Sequence, residues 1–149
     1  VANVVVHTDL NCLSVIQFAV EALKVKHIMV VGHYGCGGVS AALKKERIGL
    51  VDIWLRHVQD VHAKHAGNVD RLPPENRNDR LCELNVLEQV VNVCQTFVVQ
   101  DAWRREQSLT VHGWIYGLTD GLMHDLGITV HRPEDLQTRY DAALQALAE

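Results

Sequence analysis

Apolar and polar positions follow two periods along this chain, and the changes of period mark its elements. The run "VVV" at 4–6 predicts the end of a short buried strand. Asp9 or Asn11 can cap the helix that follows. Leu13, Ile16, Ala19, Val20 and Leu23 recur at helical spacing, so this helix should run to about residue 24. "HIMVVG" at 27–32 is continuously apolar and of strand length, as a parallel strand covered on both faces would be. A helix is predicted over 38–46 and another over 50–65, with Val51, Trp54, Leu55, Val58 and Val61 on its inner side.

Further on, "RLPPENRNDR" at 71–80 is the one polar, proline-bearing connector and predicts a loop. It leads into a long helix whose apolar face carries Leu81, Leu84, Leu87, Val90, Val91 and Cys94, and a second helical stretch continues to Arg105. "SLTVHGWIYG" at 108–117 reads as a strand entering a glycine turn, and "GITVH" at 127–131 as a short strand. Pro133 suits the first turn of a terminal helix. Strands alternating with helices predict one α/β domain over 1–149, a mostly parallel β-sheet flanked by helices. In such sheets, sites gather at the carboxyl ends of the strands.

Composition narrows the class. The 149 residues are 48% hydrophobic and 21% charged, which suits a globular domain with a real core. The net charge of −4, with both signs interspersed, argues against nucleic acid or an anionic membrane as partner. No apolar run approaches the roughly 20 residues that span a bilayer, and "VANVVVHTDL" has no basic leader region. The four cysteines lack framework spacing, so reduced thiols in a cytoplasmic protein are expected. Cys12, Cys82 and Cys94 sit in helical apolar patterns and read as small core residues. His57, His62 and His65 share one helix, but no carboxylate or cysteine completes a metal set there, so they read as ordinary helix histidines.

Cys36 alone lies in a glycine turn, "GHYGCGG" at 32–38, between a strand and a helix. A phosphate loop would need the lysine and the following Ser/Thr, which are absent. A redox pair would need C-x-x-C, and here the first member is His33. A nucleophilic Cys36 with His33 as base is awkward on so tight a turn. As half of a zinc site, His33 offers an imidazole and Cys36 a thiolate favoured by the helix start, while Gly35, Gly37 and Gly38 let the backbone bend. On spacing alone, an incidental His and Cys in a glycine turn stands level with that reading.

A resemblance separates them. "HTDLNCLSVIQFAVEALKVKHIMVVGHYGCGGVSAAL", "LCELNVLEQV" and "VHGWIYGLTDGLMHDLGI" are similar, in that order, to segments of the bacterial β-class carbonic anhydrases. The resemblance implies a zinc enzyme that interconverts carbon dioxide and bicarbonate, with two cysteines and one histidine on the metal. His33 and Cys36 match the second and third ligands. The first ligand belongs to a C-x-D-S/A-R motif that does not occur here, so the chain is expected to begin after it, at Val1, without that cysteine or the catalytic Asp–Arg pair. By itself such a chain would be incomplete as a catalyst.

The resemblance further implies that Gly37 and Gly38 shape the space for carbon dioxide, with helix packing as their plainer role. Tyr116 matches a tyrosine that holds a regulatory bicarbonate in one allosteric branch, and its plainer role is an aromatic at a strand end. His112 and Trp114 read as core or interface residues. Homodimers or homotetramers are implied. The competing reading is a metal- or bicarbonate-binding regulatory protein without turnover.

Overall fold

The computed structural model describes residues 2–148. Val1, where the family resemblance sets the start after the missing motif, lies outside them. Helix α1 (Leu10–Gln17) is capped by Asp9, whose carboxylate accepts from the amides of Asn11 and Cys12. It widens into a π turn over Phe18–Ala22 and stops where Lys24 takes a left-handed conformation. Strand β1 (His27–His33) leads to α2 (Gly37–Lys44), and α3 (Val51–Lys64) and the short α4 (Ala66–Val69) follow. Helix α5 (Pro74–Cys94) is the longest, then come α6 (Phe97–Arg104), β2 (Thr110–Tyr116), β3 (Met123–Val130) and α7 (Asp135–Ala146).

The sheet order is β1-β2-β3, with β1 and β2 parallel and β2 and β3 antiparallel. The α/β class is the one the pattern predicts. The antiparallel pair arises because β2 and β3 are joined by a short turn rather than a crossover helix. Strand β3 begins earlier than its apolar run. Its pairing slips between Gly113 and Trp114, and Gly127 takes a φ of +75° beside the slip. Such a bulge breaks the period-two pattern on which a sequence reading relies.

Four other expectations are corrected. Residues 4–6 are not a strand. Their backbone is bound by side chains of α5: the Val5 amide donates to Gln89 Oε1 (2.8 Å) and Asn92 Nδ2 donates to the Val5 carbonyl (3.0 Å). The polar run 71–80 is a loop only to Pro73. Pro74 opens α5 at a position where a missing N–H costs nothing, and Arg77 ties the turn by donating to the carbonyls of Asp70 and Leu72. Pro133 sits in the turn ahead of α7, not inside it. Cys82 and Cys94 are core residues, but Cys12 is only half-buried and Leu23 is exposed, because α1 lies on the surface.

Two apolar clusters share α5. Its N-terminal half (Leu81, Cys82, Leu84) packs with α2 and with Leu55, Val58 and Val61 of α3. Its C-terminal half (Val86, Leu87, Val90, Val93, Cys94) packs with α6, α7 and the sheet. Two glycines set the spacing. A Cβ at Gly32 would stand 2.6 Å from Val86 Cγ2, and one at Gly113 would run into Ile128 and stand 3.0 Å from Val90 Cγ2. Hence α5 rides directly on the strand backbones. No helix among the described residues is long and apolar enough to cross a membrane.

The terminal helix is fastened by a polar cluster. Glu88 of α5 accepts from His65, Tyr140 and Lys64, and the Lys64 ammonium also lies 5.2 Å from the centre of the Tyr140 ring. The two histidines of α3 have separate partners: His62 meets Asp70 at 2.9 Å and His57 packs edge-on to Trp54. Burial pushes the Glu88 carboxyl up, but the bonds from His65, Tyr140 and Lys64 outweigh it and hold the group at about 2.

Two outcomes follow for stability. Gly113→Ala should lower unfolding free energy by about 1–3 kcal/mol through overpacking, whereas Gly67→Ala, whose Cβ meets nothing within 4 Å, should not. Urea unfolding of both variants checks this. Glu88 titrates lower folded than its ordinary value of 4.5, so its contribution is complete above that pH and is lost as pH falls toward 2. Glu88→Gln should therefore flatten the stability profile between about pH 4.5 and 2, measured by thermal unfolding across that range.

Candidate metal centre

Strand β1 delivers His33 to the carboxyl edge of the sheet, and a two-residue turn passes the chain to α2. Gly35 takes a φ of +65°, the left-handed conformation for which glycine is suited. Cys36 is extended and occupies the N-cap of α2, where its carbonyl accepts from the Ser40 amide. The turn is pinned at three points. The Tyr34 amide donates to the Tyr116 carbonyl (3.1 Å), extending the β1–β2 ladder. The Tyr34 hydroxyl donates to Glu83 Oε1 (2.7 Å), and Arg80 holds the other Glu83 oxygen at 3.0 Å. The Gly35 amide donates to Asp79 Oδ1 (2.9 Å). Burial and the Glu83 carboxylate keep the Tyr34 phenol protonated, well above its ordinary range.

His33 Nδ1 lies 2.9 Å from the Tyr34 carbonyl oxygen. A carbonyl only accepts, so Nδ1 carries the proton and the Nε2 lone pair is left for a ligand. His33 and Cys36 line one pocket of about 160 Å³. Val31, Gly32 and Val39 form its apolar wall. Cys82 lines it too, and burial pushes that thiol up to about 12. Larger clefts of about 390 and 620 Å³ open elsewhere, the first between residues 4–8, α3 and α5, the second among charged surface groups after α2. Neither contains this donor pair.

Asn3 and Asn85 line the same pocket. Asn85 is buried on α5 and donates to the Ala2 carbonyl (3.1 Å) and to Asn3 Oδ1 (2.8 Å), while Gln89 donates to Asn85 Oδ1 (3.0 Å). Asn3 Nδ2 is buried without a partner, and Asn3 lines the pocket. Sequence reasoning missed Asn3, Asp79, Glu83 and Asn85. For Asn85 a signal existed: Asn85, Gln89 and Asn92 form a polar row at i, i+4 and i+7 on a helix otherwise read for its apolar face.

An imidazole nitrogen and a thiol on one turn are the donor types zinc prefers, and the pocket beside them is small and mostly apolar. Among the described residues no group of three or more His, Cys, Asp or Glu side chains converges on one point. Gly37 and Gly38 are the first two residues of α2, and the cavity wall beside His33 is supplied by Gly32 and Val39 rather than by them. Tyr116 ends β2 opposite His33 and holds the turn through its carbonyl. The His112 ring lies tilted against Trp114, centroids 5.3 Å apart, and meets His27 at 3.0 Å, on the sheet face away from α5.

Comparison with known proteins bears on this geometry. The carbonic anhydrase family profile matches residues 1–123. A carbonic anhydrase of Emericella nidulans is 46% identical over 86% of this chain, and one of Candida albicans is 33% identical over 91%. The chain spans 57% and 49% of the lengths of those two relatives. Among solved structures, Coccomyxa β-carbonic anhydrase in complex with acetazolamide superimposes with a TM-score of 0.87, at 36% identity, over 100% of this chain and 70% of that one. A tetrameric β-carbonic anhydrase of Sordaria macrospora gives 0.81 at 37% identity, over 87% of this chain and 66% of its own. With its H-x-x-C turn set at the end of a parallel strand as the sequence resemblance requires, this chain belongs to the carbonic anhydrase family, in its β class.

Proposed function

We propose that the complete protein catalyses the reversible hydration of carbon dioxide to bicarbonate and a proton, with zinc held by His33 and Cys36. The observation that carries this reading is the His33 imidazole, its Nδ1 proton committed to the Tyr34 carbonyl and its Nε2 free, in one pocket with the Cys36 thiol. Zinc, when bound, supplies a Lewis acid that lowers the pKa of water toward about 7. The remaining ligand and the Asp–Arg pair belong to the C-x-D-x-R motif of the family and are assigned outside the described residues.

This chain's own residues contribute position and polarity. Tyr34, Gly35 and their anchors on α5 hold the two ligands in one orientation. The apolar wall of Val31, Gly32 and Val39 suits a small uncharged substrate and excludes competing solvent. Gly37 and Gly38, at the head of α2, keep the approach to Cys36 free of side chains. Tyr116 is the residue we assign to a regulatory bicarbonate, as in the allosteric bacterial branch that the sequence resembles.

A homodimer or homotetramer in the cytoplasm completes the proposal. The sheet face away from α5 carries Met29, 54% exposed, with Trp114 and Met123, and Trp114 Nε1 is buried there without a hydrogen-bond partner. A second copy on that face would cover apolar surface. The four free cysteines accord with a reducing compartment.

Cys36→Ala should lower zinc affinity by more than the roughly 10–100-fold that outer residues around a metal typically cost. Chelator competition on the complete protein measures it, and zinc content unchanged in the variant would overturn the assignment. Tyr116→Phe should retain zinc yet raise the bicarbonate concentration needed for half-inhibition by about five-fold or more. Stopped-flow hydration assays read this out, and superimposable inhibition curves would make Tyr116 structural.

A further inference from the structure

The Tyr34–Gly35 peptide is used on both of its edges. Its carbonyl accepts the Nδ1 proton of His33 at 2.9 Å. Its amide, in the same plane, donates to Asp79 Oδ1 at 2.9 Å. Carboxylate, peptide and imidazole therefore form one unbroken hydrogen-bonded line that ends at the free Nε2.

Mechanical need does not account for a carboxylate here. The turn is already held by the Tyr34 amide on the Tyr116 carbonyl and by the Tyr34 hydroxyl on Glu83. Glycine already relieves the left-handed φ at position 35. A neutral acceptor would satisfy the Gly35 amide equally well. What a carboxylate adds is charge: hydrogen bonds to an ionised acceptor are shorter and roughly twice as strong as neutral ones. Bonds in a chain polarise one another, so electron density drawn toward the Tyr34 oxygen strengthens its grip on the His33 proton. An imidazole whose N–H is held by a stronger acceptor is a more basic ligand at its other nitrogen.

We infer that Asp79 is a positioning residue that acts through the Tyr34–Gly35 peptide to orient His33 and raise its strength as a metal ligand. The relay rests on the proposed zinc role of His33. It differs from a direct carboxylate–histidine contact because a backbone peptide stands between the two. Asp79 thereby acts from the first turns of α5, one helix away from the metal-binding turn.

Asp79→Asn keeps the size and one acceptor oxygen but removes the charge. In the complete zinc-loaded protein it should weaken zinc by about ten-fold, within the range typical of outer residues around a metal. It should also move both the Gly35 amide proton and the His33 Nδ1 proton upfield in nitrogen-15 NMR spectra, with or without zinc. Tyr34→Phe removes the Glu83 anchor but leaves the line intact, and should leave the His33 Nδ1 signal in place. In a His33→Ala background, Asp79→Asn should have no further effect on zinc affinity.

The relay is overturned if Asp79→Asn shifts only the Gly35 signal. It is also overturned if Tyr34→Phe moves the His33 signal as much as Asp79→Asn does, or if Asp79→Asn weakens zinc equally without His33. Zinc affinity unchanged in His33→Ala itself would instead overturn the metal assignment, with the NMR shifts still reporting whether the hydrogen-bonded line exists.

Discussion

The structure depends on how closely α5 approaches the sheet. At Gly32 and Gly113 the strands present no side chain to that helix, and Val86 and Val90 occupy the space a Cβ would need. Dispersion forces fall off steeply with distance, so direct contact of valine methyls with strand backbone makes the junction dense and its register unique. The terminal clamp of Glu88, His65 and Tyr140 serves the same junction by fastening α7 over the C-terminal half of the helix. Because α5 cannot slide, every polar group it carries has a fixed position relative to the end of β1.

That fixed position is what builds the site. Along α5, Asp79 meets the Gly35 amide, Glu83 the Tyr34 hydroxyl, Asn85 the residues beside the pocket, and Gln89 and Asn92 the backbone of Val5. One helix thus satisfies backbone groups of two segments, the Gly35 amide of the turn and both backbone groups of Val5. The need is strict, since an unpaired backbone group out of water costs as much as a lost hydrogen bond. The placement of His33 and Cys36 is then a consequence of helix packing more than of the turn's own preferences. It also explains why a short glycine turn can hold two donors steady, although glycine by itself adds freedom.

The legible parts of this protein were those with strong local periodicity. Leu55, Val58 and Val61 of α3 and Leu81, Leu84, Leu87 and Val90 of α5 are buried as their spacing requires. The apolar run of β1 is a strand, and Asp9 caps the first helix. Errors fell where a distant partner replaced a local one. Residues 4–6 have strand composition, but amide side chains of α5 took the bonds a neighbouring strand would have made. The bulge at Gly127 hid the start of β3. The polar face of α5 before Leu81 looked like loop, because an exposed helical turn carries no apolar signal.

For the site, the sequence by itself determined the donor pair, their spacing and their place at a strand end, since these are properties of seven consecutive residues. The order of its segments carried the family as well. Only the tertiary structure decided which imidazole nitrogen is free, that Cys82 shares the pocket, that Asp79 and Glu83 support the turn, and that Asn85 holds Asn3 beside it. The reason is distance along the chain. Asp79 is 44 residues from Gly35 and Asn85 is 82 from Asn3, and no local pattern encodes a contact made only when α5 is seated on the sheet.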